Sequence, residues 1–170
     1  IKFFCTPFSF EGIAFLKEIS VDGFKIASMD NLNYSFIDNC CAFNSTVLVS
    51  TGMLNKIETD RLFKKYSKKV FFLHCVSNYP VKETEIGIEV LKYYQHKLKK
   101  KNFGYSDHFK GMDAVKIAMT KGAKIIEKHF TLEKRNFLDH EHSMDPLDLN
   151  QLNQFRKILN SKKNVNNFYK

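Results

Sequence analysis

Short apolar runs alternate with longer helical patterns along this chain of 170 residues. The short runs are rich in aromatic and β-branched residues, as β-strands are. The predicted strands cover 2–6, 23–28, 46–50, 70–75, 102–106 and 124–130. The segment 84–100 places apolar residues at helical spacing and predicts one long helix. Thr59 or Asp60 is expected to begin the helix before the fourth strand, and Gly122 to end the helix before the sixth.

Six β/α units in tandem predict parallel strands joined by right-handed crossovers. The strands are almost continuously apolar, which is typical of parallel strands buried on both faces. The fold class is therefore α/β, and the unit spacing fits a (β/α) barrel or a doubly wound sheet.

Polar side chains collect where the predicted strands end. In parallel α/β folds the carboxyl ends of the strands form the active-site face, so these residues are expected to share one site. Taken singly, a strand lysine, serine or histidine is more often structural. The residues at these ends are Thr6, Lys25, Ser28, Ser50, Thr51, His74, Ser77, Ser106, Asp107, His108, Glu127 and His129.

The net charge of +9 does not by itself predict a nucleic-acid surface. The lysine clusters at 96–101 and 160–164 end helical patterns without interleaved aromatic residues, so solvated helix ends are favoured. The positive excess also fits an anionic small substrate. No apolar run has the length of a membrane span. The four cysteines lack disulfide or metal spacing, and this arrangement favours a cytoplasmic protein.

Six motifs in order resemble the sialic acid synthase family: "CTPF", "FKIAS", "LVSTGM", "LHCVSNYP", "GYSDH" and "IIEKHF". The resemblance runs from about Phe3 to about Pro146. That family has a (β/α)8 TIM barrel followed by a small antifreeze-like domain. The resemblance implies that residues 1–160 form a partial barrel of six units, family strands 3 to 8, and that 161–170 form a basic tail. The first two units and the antifreeze-like domain are then absent, and weak binding or no activity is expected of this segment alone.

By the same resemblance, the protein condenses phosphoenolpyruvate with an N-acylated amino sugar, N-acetylmannosamine or a related 6-deoxy sugar. The products are a nonulosonic acid and phosphate. The full-length protein is expected to be a homodimer, with neither nucleic acid nor membrane as a partner. Two alternatives stay open: a related barrel aldolase or synthase acting on another sugar, and a non-enzymatic α/β binding module.

The resemblance also implies roles for individual residues. His108 and His129 match the family's metal ligands, for Mn²⁺ or Mg²⁺, and imidazole donors favour manganese. Glu127 shares a strand face with His129 and is expected to hold the sugar or move a proton, so the catalytic set is Glu127, His108 and His129. Tyr79 and Asp139 match positions near the sugar. The matches to phosphoenolpyruvate contacts are Thr6, Lys25, Ser28, Ser50, Ser77 and Ser106.

Three further residues near these positions are interpreted differently. Strand alternation turns Asp107 away from the site, where it would support rather than bind. His140 and His142 follow Asp139 and are interpreted as loop residues, not as metal ligands.

Overall fold

A computed structural model of the chain describes residues 1–134 and 138–165. Its six strands form one parallel sheet in which each strand pairs with the next along the chain. All six predicted strands are present. Their bounds are β1 Phe4–Cys5, β2 Gly23–Ile26, β3 Thr46–Ser50, β4 Val70–His74, β5 Phe103–Asp107 and β6 Ile126–Lys128.

A helix follows every strand. The helices are α1 Phe10–Glu18, α2 Tyr34–Cys41, α3 Lys56–Tyr66, α4 Val90–Lys97, α5 Asp113–Thr120 and α6 Pro146–Val165. The expected start of α3 at Thr59 or Asp60 is wrong, because Asn55 and Glu58 form a reciprocal cap one turn earlier. The expected end of α5 is confirmed: Gly122 has a φ of +86° and its N–H donates to the carbonyl of Met119.

The predicted helix over 84–100 is shorter in the structure. A 3₁₀ turn at Glu83–Glu85 is followed by Gly87 at a φ of +60°, and α4 begins only at Val90. A left-handed residue cannot continue an α-helix, and glycine adopts it at least cost. The backbone of Gly87 also packs against the ring of His74, where an added Cβ would lie 3.4 Å from Nε2. The interruption therefore fits the chain around a buried histidine.

The core lies between the sheet and the inner faces of its helices. Phe63 of α3 packs its ring 4.6 Å from Phe72 of β4 and 4.8 Å from Tyr94 of α4. Burying such side chains contributes about 1.5–3 kcal/mol each, which fastens the helices to one face of the sheet. The other face, at its carboxyl end, is left for polar groups.

The sheet is strongly curled. Lys25 of β2 and Glu127 of β6 form an ion pair at 3.5 Å, although three strands lie between them. In a flat sheet these strands would be about 19 Å apart. The sheet therefore bends towards closure, and the predicted α/β partial (β/α)8 barrel of six parallel units is confirmed.

The expected limit between the partial barrel and the basic tail can be located in the structure. The boundary expected after residue 160 falls inside α6, and residues 166–170 of the expected basic tail lie outside the described residues. Within the described ranges, no helix combines the length and apolar character needed to cross a membrane.

His74 should make stability depend on pH. Burial, opposed by the carbonyls of Ile86 and Gly87, lowers its pKa below the ordinary 6.5. As pH falls through 6.5, His74 becomes protonated in the unfolded chain but stays neutral in the folded protein. The contribution of His74 to stability is therefore complete above that pH and declines below it. The slope is at most about 1.4 kcal/mol per pH unit. Denaturant unfolding between pH 7.5 and 5 should show a shallower decline for His74→Gln than for the wild type.

The same substitution at the exposed His96 on α4, His96→Gln, provides the matched control. A His74→Gln profile parallel to the wild type would show that this histidine titrates alike in both states.

Candidate active site

The predicted site residues meet at one cavity of about 610 Å³ at the carboxyl end of the sheet. Of the residues that were given a role only Asp139 does not line it, and Thr51, His74 and Asp107, which were also expected at the shared site, lie outside it. A larger space of about 870 Å³ lies between α5 and α6, but it lacks a cluster of titratable groups. The titratable side chains that line a cavity therefore identify the candidate site better than the volume of the cavity does. The predicted residues that line the smaller cavity are Thr6, Lys25, Ser28, Ser50, Ser77, Tyr79, Ser106, His108, Glu127 and His129.

One side of the cavity suits an anion. The side chain of Lys25 is 12% exposed and faces Glu127 across the interior. The hydroxyl of Ser50 is buried and has no hydrogen-bond partner among the described residues. Buried polar groups are almost always paired, so an orphaned hydroxyl in a cavity that a largely enclosed ammonium also lines marks a place where a ligand can accept hydrogen bonds.

The end of β3 is held in place by Asn31, which sequence analysis did not single out. Its buried side-chain amide donates to the carbonyl oxygens of Ser50 at 3.2 Å and Gly52 at 3.0 Å. No periodic pattern marks this residue, because it lies in the turn after a 3₁₀ segment. Asn31 fixes the backbone from which the Ser50 hydroxyl projects.

Gly52 lets three strand ends come together. A Cβ at this position would lie 2.4 Å from the Ser77 hydroxyl, 2.7 Å from that of Ser28 and 2.9 Å from the thiol of Cys75. All three are shorter than a real Cβ contact, so only glycine leaves these groups where they are. The Ser28 hydroxyl and the Cys75 thiol are themselves 3.2 Å apart.

Histidines occupy the other side of the cavity. His108 is buried, and its Nδ1 lies 2.9 Å from the carbonyl oxygen of Val76, which can only accept. Nδ1 must therefore carry the proton, and Nε2 presents a lone pair. Burial also lowers the pKa of His108, which favours the neutral, ligating form. The ring of His129 lies 5.6 Å from that of His108, centre to centre.

The loop after β6 adds two more groups. Asp139 places a carboxylate oxygen 3.7 Å from Nδ1 of His129 and the other 3.8 Å from Nε2 of His142. The ligand atoms of these three residues all lie within 4.8 Å of one another, which makes them a possible metal site. His142 lies in the loop after β6, as the sequence indicated, although its place in this group was not predicted, and His140 lies near the hydroxyl of Thr131. Burial, with His129 nearby, lowers the pKa of His142.

A buried ion pair connects the two strands that carry His108 and His129. Asp107 and Lys128, the residues just before these histidines, meet at 2.5 Å with side chains 0% and 1% exposed. As expected from strand alternation, Asp107 points away from the cavity. Its carboxylate also accepts from the hydroxyl of Tyr105 and the N–H of Phe109. The pair fixes how far apart the two histidines are held.

A curled parallel sheet with a lysine, hydroxyls and histidines at its carboxyl end defines a (β/α)-barrel enzyme site. Comparison with known proteins gives the family. The NeuB family model matches residues 1–167, and the chain belongs to that family, the sialic acid synthases.

Named relatives agree with this assignment. The chain is 34% identical to an N,N'-diacetyllegionaminic acid synthase from Campylobacter jejuni, over 93% of this chain and 49% of that protein. It is 29% identical to the human N-acetylneuraminate-9-phosphate synthase, over 82% of this chain and 40% of that protein. The chain thus spans about half the length, or less, of these curated relatives.

A solved structure gives the same picture. The N-acetylneuraminic acid synthetase from Leptospira borgpetersenii, solved in complex with citrate, superposes with a TM-score of 0.81 at 35% identity. The match covers 94% of this chain and 58% of that one. The family of the protein is thereby shown, while the residue roles predicted from the motifs stay predictions.

Breaking the buried pair should be costly. Lys128→Met leaves the Asp107 carboxylate buried without its cation, so unfolding free energy should fall by about 3–5 kcal/mol in urea titrations. Lys110→Met is the control, because its ion pair with Glu141 is solvent-exposed and should contribute under about 1 kcal/mol. Equal losses in the two variants would contradict a structural role for the buried pair.

Proposed function

We propose that the protein condenses phosphoenolpyruvate with an N-acylated amino sugar, N-acetylmannosamine or a related 6-deoxy sugar, to give a nonulosonic acid and phosphate. Membership of the NeuB family supports this class of reaction. The observation that carries the proposal is one cavity lined by a largely enclosed lysine, an orphaned hydroxyl and two histidines. The relatives' names differ in the sugar acid, so the acceptor sugar is left open.

Phosphoenolpyruvate fits the lysine side. It carries a phosphate and a carboxylate, which need a cation and several short donors. Lys25 supplies the cation, and Glu127 holds the ammonium in place before substrate binds. The proposed hydroxyl donors are Thr6, Ser28, Ser50, Ser77 and Ser106, all of which line the cavity.

The histidine side fits a divalent metal, for which we propose Mn²⁺ or Mg²⁺. His108 and His129 would hold it: the protonated Nδ1 of His108 is tied to a backbone carbonyl, which is how ligating histidines are commonly oriented. When bound, such an ion supplies Lewis acidity to the aldehyde oxygen of the open-chain sugar. Tyr79, whose ring lies 4.2 Å from that of His108, and Asp139 are the residues we propose to contact the sugar.

The bond changes balance with water as the one further reactant. C3 of phosphoenolpyruvate forms a bond to the aldehyde carbon, water adds at C2, and phosphate leaves with cleavage of its C–O bond. The departing phosphate takes one proton of the added water as the C2 carbonyl forms, and the aldehyde oxygen gains the other. Glu127 is the carboxylate lining the cavity between Lys25 and His129, and we assign it the transfer of that proton or the positioning of the sugar.

The same proposal includes a cytoplasmic location and a homodimeric full-length enzyme. The cysteines of the chain are all unpaired thiols, which suits a reducing compartment.

An assay of phosphate release by the full-length protein tests the reaction. Phosphate should appear only with phosphoenolpyruvate and an N-acylated amino sugar together. Lys25→Met should lower kcat/KM for phosphoenolpyruvate at least about 30-fold, because a buried charge partner contributes about 2–5 kcal/mol. Lys124→Met, which removes an exposed lysine of similar charge, is the control and should leave it unchanged. No release with any N-acylated amino sugar, or equal rates in both variants, would refute the proposal.

Adding a methyl group at Gly52 gives a second test of the proposed phosphoenolpyruvate site, because it changes the space available to the hydroxyls and no charge. The methyl of Gly52→Ala would displace the Ser28 and Ser77 hydroxyls, so KM for phosphoenolpyruvate should rise about tenfold, the effect of losing one good hydrogen bond. Gly12→Ala in α1 is the matched control, because its Cβ meets nothing closer than 3.5 Å. A wild-type KM in Gly52→Ala would show that these hydroxyls do not contact the substrate.

A further inference from the structure

His142 is buried, but no hydrogen bond of its ring to the described residues explains why a histidine occupies this position. It is 1% exposed, and neither ring nitrogen has a hydrogen-bond partner within the described part of the chain. An imidazole always carries at least one N–H and so normally finds an acceptor when buried. A histidine kept only for packing would be better replaced by an apolar residue, so its two free nitrogens indicate that something else binds there.

The backbone around His142 is fastened to the end of β6. The N–H of Met144 donates to the carbonyl of His129 at 2.8 Å, and the N–H of Thr131 donates to Met144 at 2.9 Å. The Ser143 hydroxyl donates to the carbonyl of Asp139 at 2.6 Å, which closes the turn that carries His142. The ring is thus held against the rings of His129 and Tyr79, which line the cavity, by bonds that do not involve its own nitrogens.

The distances around His142 match those between ligands of one ion. Two donors bound at about 2.0–2.2 Å lie roughly 3–4 Å apart, and their ring centres roughly 4.5–6.5 Å apart. The Asp139 carboxylate lies 3.8 Å from Nε2 of His142, too far for a hydrogen bond. The ring of His142 lies 4.6 Å from that of His129 and 6.3 Å from that of His108.

We propose that His142 is a third imidazole ligand of the divalent ion beside His129 and His108, with the Asp139 carboxylate, which lies within 4.8 Å of the ligand nitrogens of His129 and His142, as a further ligand. The inference rests on the metal site of the proposed function and goes beyond its two histidines. It has a consequence for selectivity: imidazole suits Co²⁺ and Zn²⁺, whereas Mg²⁺ prefers oxygen donors. The third ring should therefore strengthen binding of Co²⁺ and Zn²⁺ far more than binding of Mg²⁺.

Co²⁺ is the probe for the test, in full-length protein first stripped of metal. Its affinity is measured by chelator competition and its donor set by visible absorption. His142→Phe keeps an aromatic ring in the pocket but removes both nitrogens. It should weaken Co²⁺ and Zn²⁺ at least about tenfold, change the Co²⁺ spectrum, and leave Mg²⁺ nearly unaffected. His140→Ala, two residues away in the same loop, is the control and should match the wild type.

Thermal unfolding separates ligation from packing. In metal-free protein His142→Phe should keep the wild-type Tm, and only the rise in Tm on adding Co²⁺ should shrink. Wild-type Co²⁺ affinity and spectrum in His142→Phe, with binding lost in His129→Ala, would overturn the role of His142 and leave the two-histidine site standing. A wild-type protein that fails to bind Co²⁺ would overturn both.

Discussion

Parallel pairing of consecutive strands is the constraint from which the site follows. Each strand is hydrogen-bonded to the next one along the chain, so all six carboxyl ends lie at one edge. A flat sheet would spread those ends over more than 20 Å, roughly five strand spacings. Curling brings β2 and β6 within ion-pair distance, and residues that are far apart in the chain then line one cavity.

Two ion pairs with different surroundings hold this arrangement. Lys25 and Glu127 meet inside the curl, where the carboxylate is partly exposed and the pair can open to a ligand. Asp107 and Lys128 meet with both side chains fully buried and supported by further hydrogen bonds. The inner pair is thus suited to binding, while the buried pair is suited to keeping β5 and β6 in register beneath their histidines.

The strands and their polar ends could be predicted from the sequence, because both depend on local pattern and on a general rule of parallel sheets. The helix ends were harder. Asn55 begins α3 through a side-chain cap, and Gly87 delays the start of α4 to Val90, and both effects depend on single residues that override periodicity. His142 could not be placed, since its position depends on hydrogen bonds between Met144 and the end of β6. Asn31 was missed for the same reason, as it acts through a turn rather than a periodic element.

The contact between Lys25 and Glu127 also has a meaning for folding. Every strand pairing in the sheet joins neighbours along the chain, so each can form with a short loop closure. The inner ion pair, by contrast, joins residues separated by most of the described chain, and it can form only when all the intervening pairings exist. The cavity at the carboxyl ends of the strands is therefore expected to be among the last features to assemble, after the strands and helices that surround it.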